Sequence, residues 1–253
     1  MAEKAGHNPY ESDTLLAQYL VLHYADASQI FLEAPGPSEA VGFPIRCVTQ
    51  LIHPSTTGGR ALDVGCAVGR SCFELSQLFS EVVGIDFSIG FIHAARQIQK
   101  LGSITINIPV EGLRTCKFTA SIPLSARPER VVFTQGDAMR LDPSLGTFDL
   151  VLAANLICRL PRPRDFLKRL PSLVKPHGQL LLTTPFTWVE EYTSRENWLG
   201  NDSKSSFEEL CEILSQHFTL ELQRDLPFVI REHARKFQYG VATGSRWRRL
   251  PSA

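Results

Sequence analysis

Three acidic residues stand where a run of apolar residues gives way to small ones: Asp63 in ALDVGCAVGRS (61–71), Asp86 in VVGIDFS (82–88) and Asp137 in QGDAM (135–139). An ionised carboxylate only accepts hydrogen bonds, so at a strand end it suits the hydroxyls and amino groups of a nucleoside. After Asp63, the small residues Gly65, Cys66, Ala67 and Gly69 let a backbone approach a ligand, and the amides of a helix start favour an anionic group. A dinucleotide fingerprint opening at Gly65 needs glycine at 67 and 70, where the chain has Ala67 and Arg70, so NAD is disfavoured. Asp86 follows Asp63 by 23 residues, which places it at the end of the next strand to accept from both ribose hydroxyls, with Phe87 beside it to pack on adenine.

These positions require alternating strands and helices, and the sequence supplies them. Residues 13–25 (DTLLAQYLVLHYA) carry apolar side chains at helical spacing behind Asp13 as N-cap. Pro35, Gly36 and Pro37 interrupt the chain, and Ile45 to Ile52 form a second helix. Strands follow at 60–65, 81–86, 131–134, 148–153 and 178–184, with helices at 70–79, 89–100, 163–174 and 207–216. Short alternating stretches in 103–130 read as a hairpin insertion, and 218–231 and 236–246 as two long strands. This order predicts an α/β fold with a doubly wound, mostly parallel sheet that binds ligands at the carboxyl ends of its strands. Length alone predicts one domain, with 1–57 a helical cap and 58–253 the core.

The 26 basic residues balance the 26 acidic ones, so no general field draws the chain to nucleic acid or to an anionic membrane. Six cysteines lack CxxC or Cys/His spacing, so neither a zinc site nor a disulfide framework is expected. The polar N-terminus MAEKAGHNPYESD and the lack of an apolar run of ~20 residues point to the cytoplasm.

The pattern around Asp63 resembles the first motif of class I S-adenosylmethionine-dependent methyltransferases. That resemblance implies a Rossmann-like sheet of seven strands closed by an antiparallel one. It also implies S-adenosyl-L-methionine as cofactor and S-adenosyl-L-homocysteine as product. Asp137 then meets the adenine amino group and Ala138 supplies an amide, with Ser88 and Gly136 alongside. A second resemblance is narrower. The strings NPYESDTLLAQYLVLHY (8–24), GFPIRCV (42–48), AANLICRL (153–160), TPFTWVEEYTSRENWLG (184–200) and REHARKFQYGVATGSRWRR (231–249) are similar to the 4-mercaptohistidine N1-methyltransferase family of ovothiol biosynthesis. The family implies 5-thiohistidine as substrate and a separate sulfoxide synthase as pathway partner. It usually has Asp at position 158 and Tyr at 186, where this chain has Cys158 and Phe186.

Transfer to a ring nitrogen needs an imidazole held with its lone pair toward the methyl group, and an imidazole with pKa near ~6.5 needs no strong base. Asn155, just past the fourth strand, is expected to orient the ring. Tyr10, His23 and Tyr24 are expected to form a lid over the cofactor, with Tyr10 and His23 joining Asn155 as the expected catalytic residues, and Arg46 to hold the cofactor's methionine carboxylate. For the substrate's own charges and ring, the expected contacts are Arg159, Phe186, Trp188, Glu190, Arg235, Tyr239 and Arg246. No metal site is expected. The competing readings are another small molecule or a peptide histidine as acceptor, and an inactive methyltransferase-fold binding protein. The intact set of Asp63, Gly65, Asp86 and Asp137 argues against the last.

Overall fold

The computed structural model describes residues 9–32 and 34–251. The start of the 8–24 string and residues 1–8 and 33 of the expected cap lie outside that range. The first helix, α1 (Asp13–Tyr24), is capped by Ser12, whose hydroxyl accepts from the Leu15 amide at 3.3 Å. A short α2 (Ala27–Phe31), not expected from sequence, is held by a capping box between Asp26 and Gln29. The next helix is α3 (Phe43–Thr49).

The core then runs β1 (Arg60–Val64), α4 (Arg70–Leu75), β2 (Glu81–Asp86) and α5 (Ile89–Leu101), and an antiparallel hairpin, β3 (Ser103–Glu111) with β4 (Arg114–Ser121), follows. It resumes with β5 (Val131–Gln135), β6 (Phe148–Ala154), α6 (Pro163–Arg169), β7 (Val174–Thr184), α7 (Ser206–Ser215), β8 (Phe218–His233) and β9 (Lys236–Arg249). The sheet has the order β5-β2-β1-β6-β7-β9-β8; its first five strands are parallel and β9 is antiparallel to both neighbours. The seven-stranded, mostly parallel sheet expected from the sequence is therefore present.

Strand alternation divides the core. Leu150, Leu152 and Leu181 face the layer of α1, α3, α4 and α5, whereas Val151, Leu180 and Leu182 face α6 and α7. The order reverses between β1 and β6, which opens a crevice outside their carboxyl ends. Above that edge, β8 and β9 extend past the last β7 partner pair, Thr184 with Thr243. Buried Arg231 on β8 donates to the Pro109 carbonyl of the hairpin at 2.7 Å, and the Ala234 amide donates to Val110. The two hairpins and α1 thus form a wall beside the crevice.

Three boundaries differ from expectation for local reasons. In α4 the amides of Gln77 and Leu78 reach back three residues, not four, so the helix tightens and ends early. Pro171 has no amide to donate, so α6 stops at Arg169 and a 3-10 turn follows. The strand expected at 178–184 starts earlier, at Val174, and pairs with Phe148 there.

At the centre of β2, a Cβ on Gly84 would lie 2.7 Å from Cys72 Sγ and 2.9 Å from a Phe133 ring carbon. Gly84→Ala should therefore lower stability by about 1–3 kcal/mol. A urea titration should show a lower midpoint with unchanged slope.

Candidate active site

The turn after β1 is shaped by backbone conformation. Gly65 and Gly69 adopt φ of +79° and +85°, and Ala67 between them is also left-handed at +47°, a conformation that costs a side-chain-bearing residue about 1–2 kcal/mol. The Gly65 and Cys66 amides both donate to the Ile85 carbonyl, which ties the turn to β2. Tyr24 at the end of α1 donates its hydroxyl to the Val68 carbonyl at 2.7 Å, and Arg70 lies over its ring at 5.8 Å.

Asp86 ends β2 with one oxygen accepting from the Ala67 amide (2.8 Å) and the other from the Ser88 amide (2.9 Å). Each oxygen keeps a second lone pair, the arrangement a ribose diol needs. Phe87, 59% exposed, presents a ring beside it, and the Gly136 amide donates to the Asp86 carbonyl at 2.9 Å. Asp137 uses one oxygen to cap the 3-10 turn Ala138–Arg140, accepting from the Met139 amide at 2.8 Å. Near the turn, Asp63 Oδ1 and His23 Nδ1 are buried without a partner. These orphaned atoms and the open Phe87 face fit an adenosyl cofactor bearing an amino-acid end.

Asn155 follows β6 at φ +51°. Its amide donates to Thr183, whose hydroxyl donates to Asn155 Oδ1 at 3.0 Å, fixing the side chain. Phe186, at φ +50°, marks the end of β7 in the same way, and its ring lies 6.5 Å from Phe207. Across the crevice, Tyr10 packs against Tyr19, Phe91 and Tyr192 with ring centroids 5.9–6.1 Å apart. The Ser88 hydroxyl donates to the Tyr10 carbonyl, and Glu11 accepts from the Ile89 and Gly90 amides at the start of α5. Arg159 lies 5.1 Å over the Tyr192 ring and hydrogen-bonds the Tyr10 side chain.

Sequence reasoning missed Tyr19, Tyr192 and Glu11 as parts of this cluster. Tyr19 carries a signal in hindsight, since it lies four residues before His23 on one helical face. Tyr192 sits in the 184–200 string beside the residues that were chosen.

Several expected contacts are spent elsewhere. Arg46 donates to the carbonyls of Val41 and Pro227, so its fork is filled by backbone and not free for a methionine carboxylate. Arg246 donates to Glu221 and to the Leu51 carbonyl, Glu190 pairs with Arg195, and the Trp188 indole donates to Ser206. Arg235 is exposed at the β8–β9 turn and Tyr239 is 54% exposed on β9; neither shares a hydrogen bond or ring contact with the cluster. His23 is buried among Tyr19 and Tyr24, and burial, with Arg70 next, pushes its pKa down to about 3. It stays neutral and does not serve as a base at neutral pH.

Burial raises both site carboxylates. Asp63 is pushed up to about 6 against the hydrogen bonds from Ser71 and Cys72, and Asp86 likewise to about 6 against those from Ser88 and Ala67. A folded-state pKa above the unfolded one means stability is fullest below pH ~4 and declines as pH rises through 6. Both groups are charged at neutral pH at the expense of stability. Asp63→Asn should therefore raise the melting temperature of the ligand-free protein at pH 8, by the equivalent of about 1–3 kcal/mol, and raise it much less at pH 5. Thermal melts at the two pH values check this, and an equal gain at both would contradict it.

Residues 42–226 match the family model described as a methyltransferase domain. The chain is 23% identical over 179 residues to the ubiquinone biosynthesis O-methyltransferase of Xanthomonas campestris pv. campestris, covering 70% of this chain and 65% of that protein. It is 30% identical over 138 residues to the tRNA U34 carboxymethyltransferase of Idiomarina loihiensis, covering 54% of this chain and 36% of that one. The chain thus spans under two thirds of the length of these relatives. Among solved structures, the N-methyltransferase NodS of Bradyrhizobium japonicum WM9, in complex with S-adenosyl-L-homocysteine, superposes with a TM-score of 0.54 at 15% identity over 93% of this chain and 99% of that one. A SAM-dependent methyltransferase of Methanosarcina mazei gives 0.52 at 18% identity over 80% and 100%. These two likenesses bear on the fold. With the family model spanning residues 42–226, most of the core, the chain belongs to the methyltransferase-domain family.

Proposed function

We propose that the protein methylates a ring nitrogen of 5-thiohistidine. The observation that carries this reading is convergence: three of the strings that resemble the thiohistidine methyltransferases, 8–24, 153–160 and 184–200, meet in the Tyr10–Tyr19–Arg159–Tyr192 cluster at the carboxyl edge. The other two do not contribute to it. Of the family departures, Cys158 is buried with its sulfur 3.7 Å from Arg159 Nη1, and Phe186 holds the left-handed turn after β7.

Bound S-adenosylmethionine supplies an electrophilic methyl group on a sulfonium. The chain's own task is to place the acceptor. Asn155 Oδ1 has one lone pair taken by Thr183 and one left to accept a ring N–H, which selects the tautomer whose other nitrogen carries its lone pair toward the methyl group. The relatives named as O-methyltransferases invite an oxygen acceptor, which requires a proton to be removed. Among the described residues, the titratable groups of the acceptor-side cluster are tyrosines, an arginine and Glu11; burial holds Tyr19 up at about 12 and the Glu11 carboxylate is occupied by the Ile89 and Gly90 amides, so none is placed as a ready base. A neutral imidazole nitrogen needs none.

The test is mass-spectrometric detection of methyl transfer to 5-thiohistidine, with histidine as control acceptor. Product from thiohistidine alone is expected; cofactor binding without transfer to either acceptor would overturn the substrate assignment. Asp86→Ala should weaken S-adenosyl-L-homocysteine binding by about 10–100-fold, from two lost charge-assisted hydrogen bonds. In the wild type, affinity should decline as pH falls through about 6, where Asp86 takes up a proton. Calorimetric titration from pH 8 to pH 5 reads both effects.

A further inference from the structure

The rim of the crevice holds a positive charge without a negative partner. Arg159 is partly buried in the 3-10 turn Ile157–Arg159, directly after Asn155. Among the described residues it forms no ion pair with any carboxylate. One nitrogen, Nη1, donates to the carbonyls of Cys158 (3.1 Å) and Thr187 (2.8 Å) and lies 3.7 Å from the Cys158 sulfur. Those bonds aim the guanidinium; they do not neutralise it. The rest of the fork lies by the Tyr10 side chain and over the Tyr192 ring.

Removing a guanidinium from water without a counter-charge is costly, and its planar fork matches a carboxylate bidentately. The surrounding phenols reinforce the preference. Burial raises the pKa of Tyr10 and of Tyr19, so both stay protonated and donate, and the Tyr10 and Tyr192 hydroxyls are hydrogen-bonded to each other. Ser88 and Glu11 fix the Tyr10 segment to the start of α5, so these donors are held facing Arg159 across the acceptor side.

We propose that the methyl acceptor binds as an anion, its negative group held by the fork of Arg159 and by the one hydroxyl proton of the Tyr10–Tyr192 pair that their mutual hydrogen bond leaves free to donate. The inference rests on the reading that places the acceptor beside Asn155, and it holds for any acceptor there, thiohistidine or another. It identifies the substrate class as small molecules carrying a carboxylate or a comparably compact oxyanion.

The test uses the full chain saturated with S-adenosyl-L-homocysteine and titrated calorimetrically with two probes, imidazole-4-acetate and 4-methylimidazole. The acid should bind at least about tenfold more tightly. Arg159→Gln should erase that preference while leaving S-adenosyl-L-homocysteine affinity within about twofold, and Arg159→Lys, with the charge but no fork, should retain part of it. Tyr192→Phe serves as a second, milder variant should Arg159→Gln not fold; a loss of about two- to fivefold in the preference is expected. In turnover with an accepted substrate, Arg159→Gln should raise KM far more than it lowers kcat, whereas a purely structural role would also move cofactor affinity. Equal affinity for the two probes, no binding of either, or a preference that survives Arg159→Gln overturns the anion site. If the preference appears but 5-thiohistidine is not methylated, the thiohistidine assignment falls and the anion site stands.

Discussion

The carboxylate of Asp86 is the joint on which the site turns. Its two oxygens reach amides on opposite sides, Ala67 in the turn after β1 and Ser88 at the start of α5. The Ser88 hydroxyl then bonds the Tyr10 carbonyl, and Tyr10 carries the acceptor-side aromatic cluster. One ionised side chain thus links the cofactor turn, the second strand end and the N-terminal segment. The cost is a buried charge, which shows in a carboxyl pKa pushed up to about 6.

Backbone strain is concentrated in the same place. Among the described residues, five without a glycine's freedom adopt positive φ: Leu32, Ala67, Asn155, His177 and Phe186. Three of these, Ala67, Asn155 and Phe186, stand at the carboxyl ends of β1, β6 and β7, around the crevice. Left-handed conformations there turn the chain abruptly and present backbone and side chain to a ligand, at a cost of about 1–3 kcal/mol each that the surrounding sheet must absorb. The sheet can absorb it because its strands are nearly dry: β1 is buried from Ala61 to Val64 and β7 from Gly178 to Thr184. The rigid core and the strained edge are two sides of one arrangement.

The cofactor half of the site was legible because each of its residues stands next to an element whose period is strong. Asp63, Asp86 and Asp137 follow apolar runs, and strand ends of a parallel sheet fall on one edge by topology alone. The arginines were harder to place. Arg46, Arg246 and Arg159 look alike in sequence, yet backbone carbonyls of Val41 and Pro227 fill the fork of the first, Glu221 and Leu51 hold the second, and the third points its remaining fork at the tyrosines of the crevice. Which guanidinium is satisfied depends on partners up to 195 positions away in the chain, and no local pattern encodes that. The same holds for Tyr10, Tyr19 and Tyr192, whose rings meet only after α1 is laid against α5 and the loop beyond β7.

The acceptor side differs from the cofactor side in how it is built. The cofactor side consists of strand ends of one sheet, fixed by main-chain pairing. The acceptor side is assembled from the segment before α1, the turn after β6 and the loop after β7, joined by side chains. Such an assembly depends on fewer and more exposed contacts, so its specificity can change with little penalty to the sheet beneath. That separation fits a core matching a broad methyltransferase domain, with relatives as differently named as a ubiquinone biosynthesis O-methyltransferase and a tRNA U34 carboxymethyltransferase, that carries a rim of its own. What distinguishes this chain within its family is therefore to be sought in the charge and hydrogen-bonding of that rim, where Arg159 and the tyrosines stand, and not in the sheet beneath it.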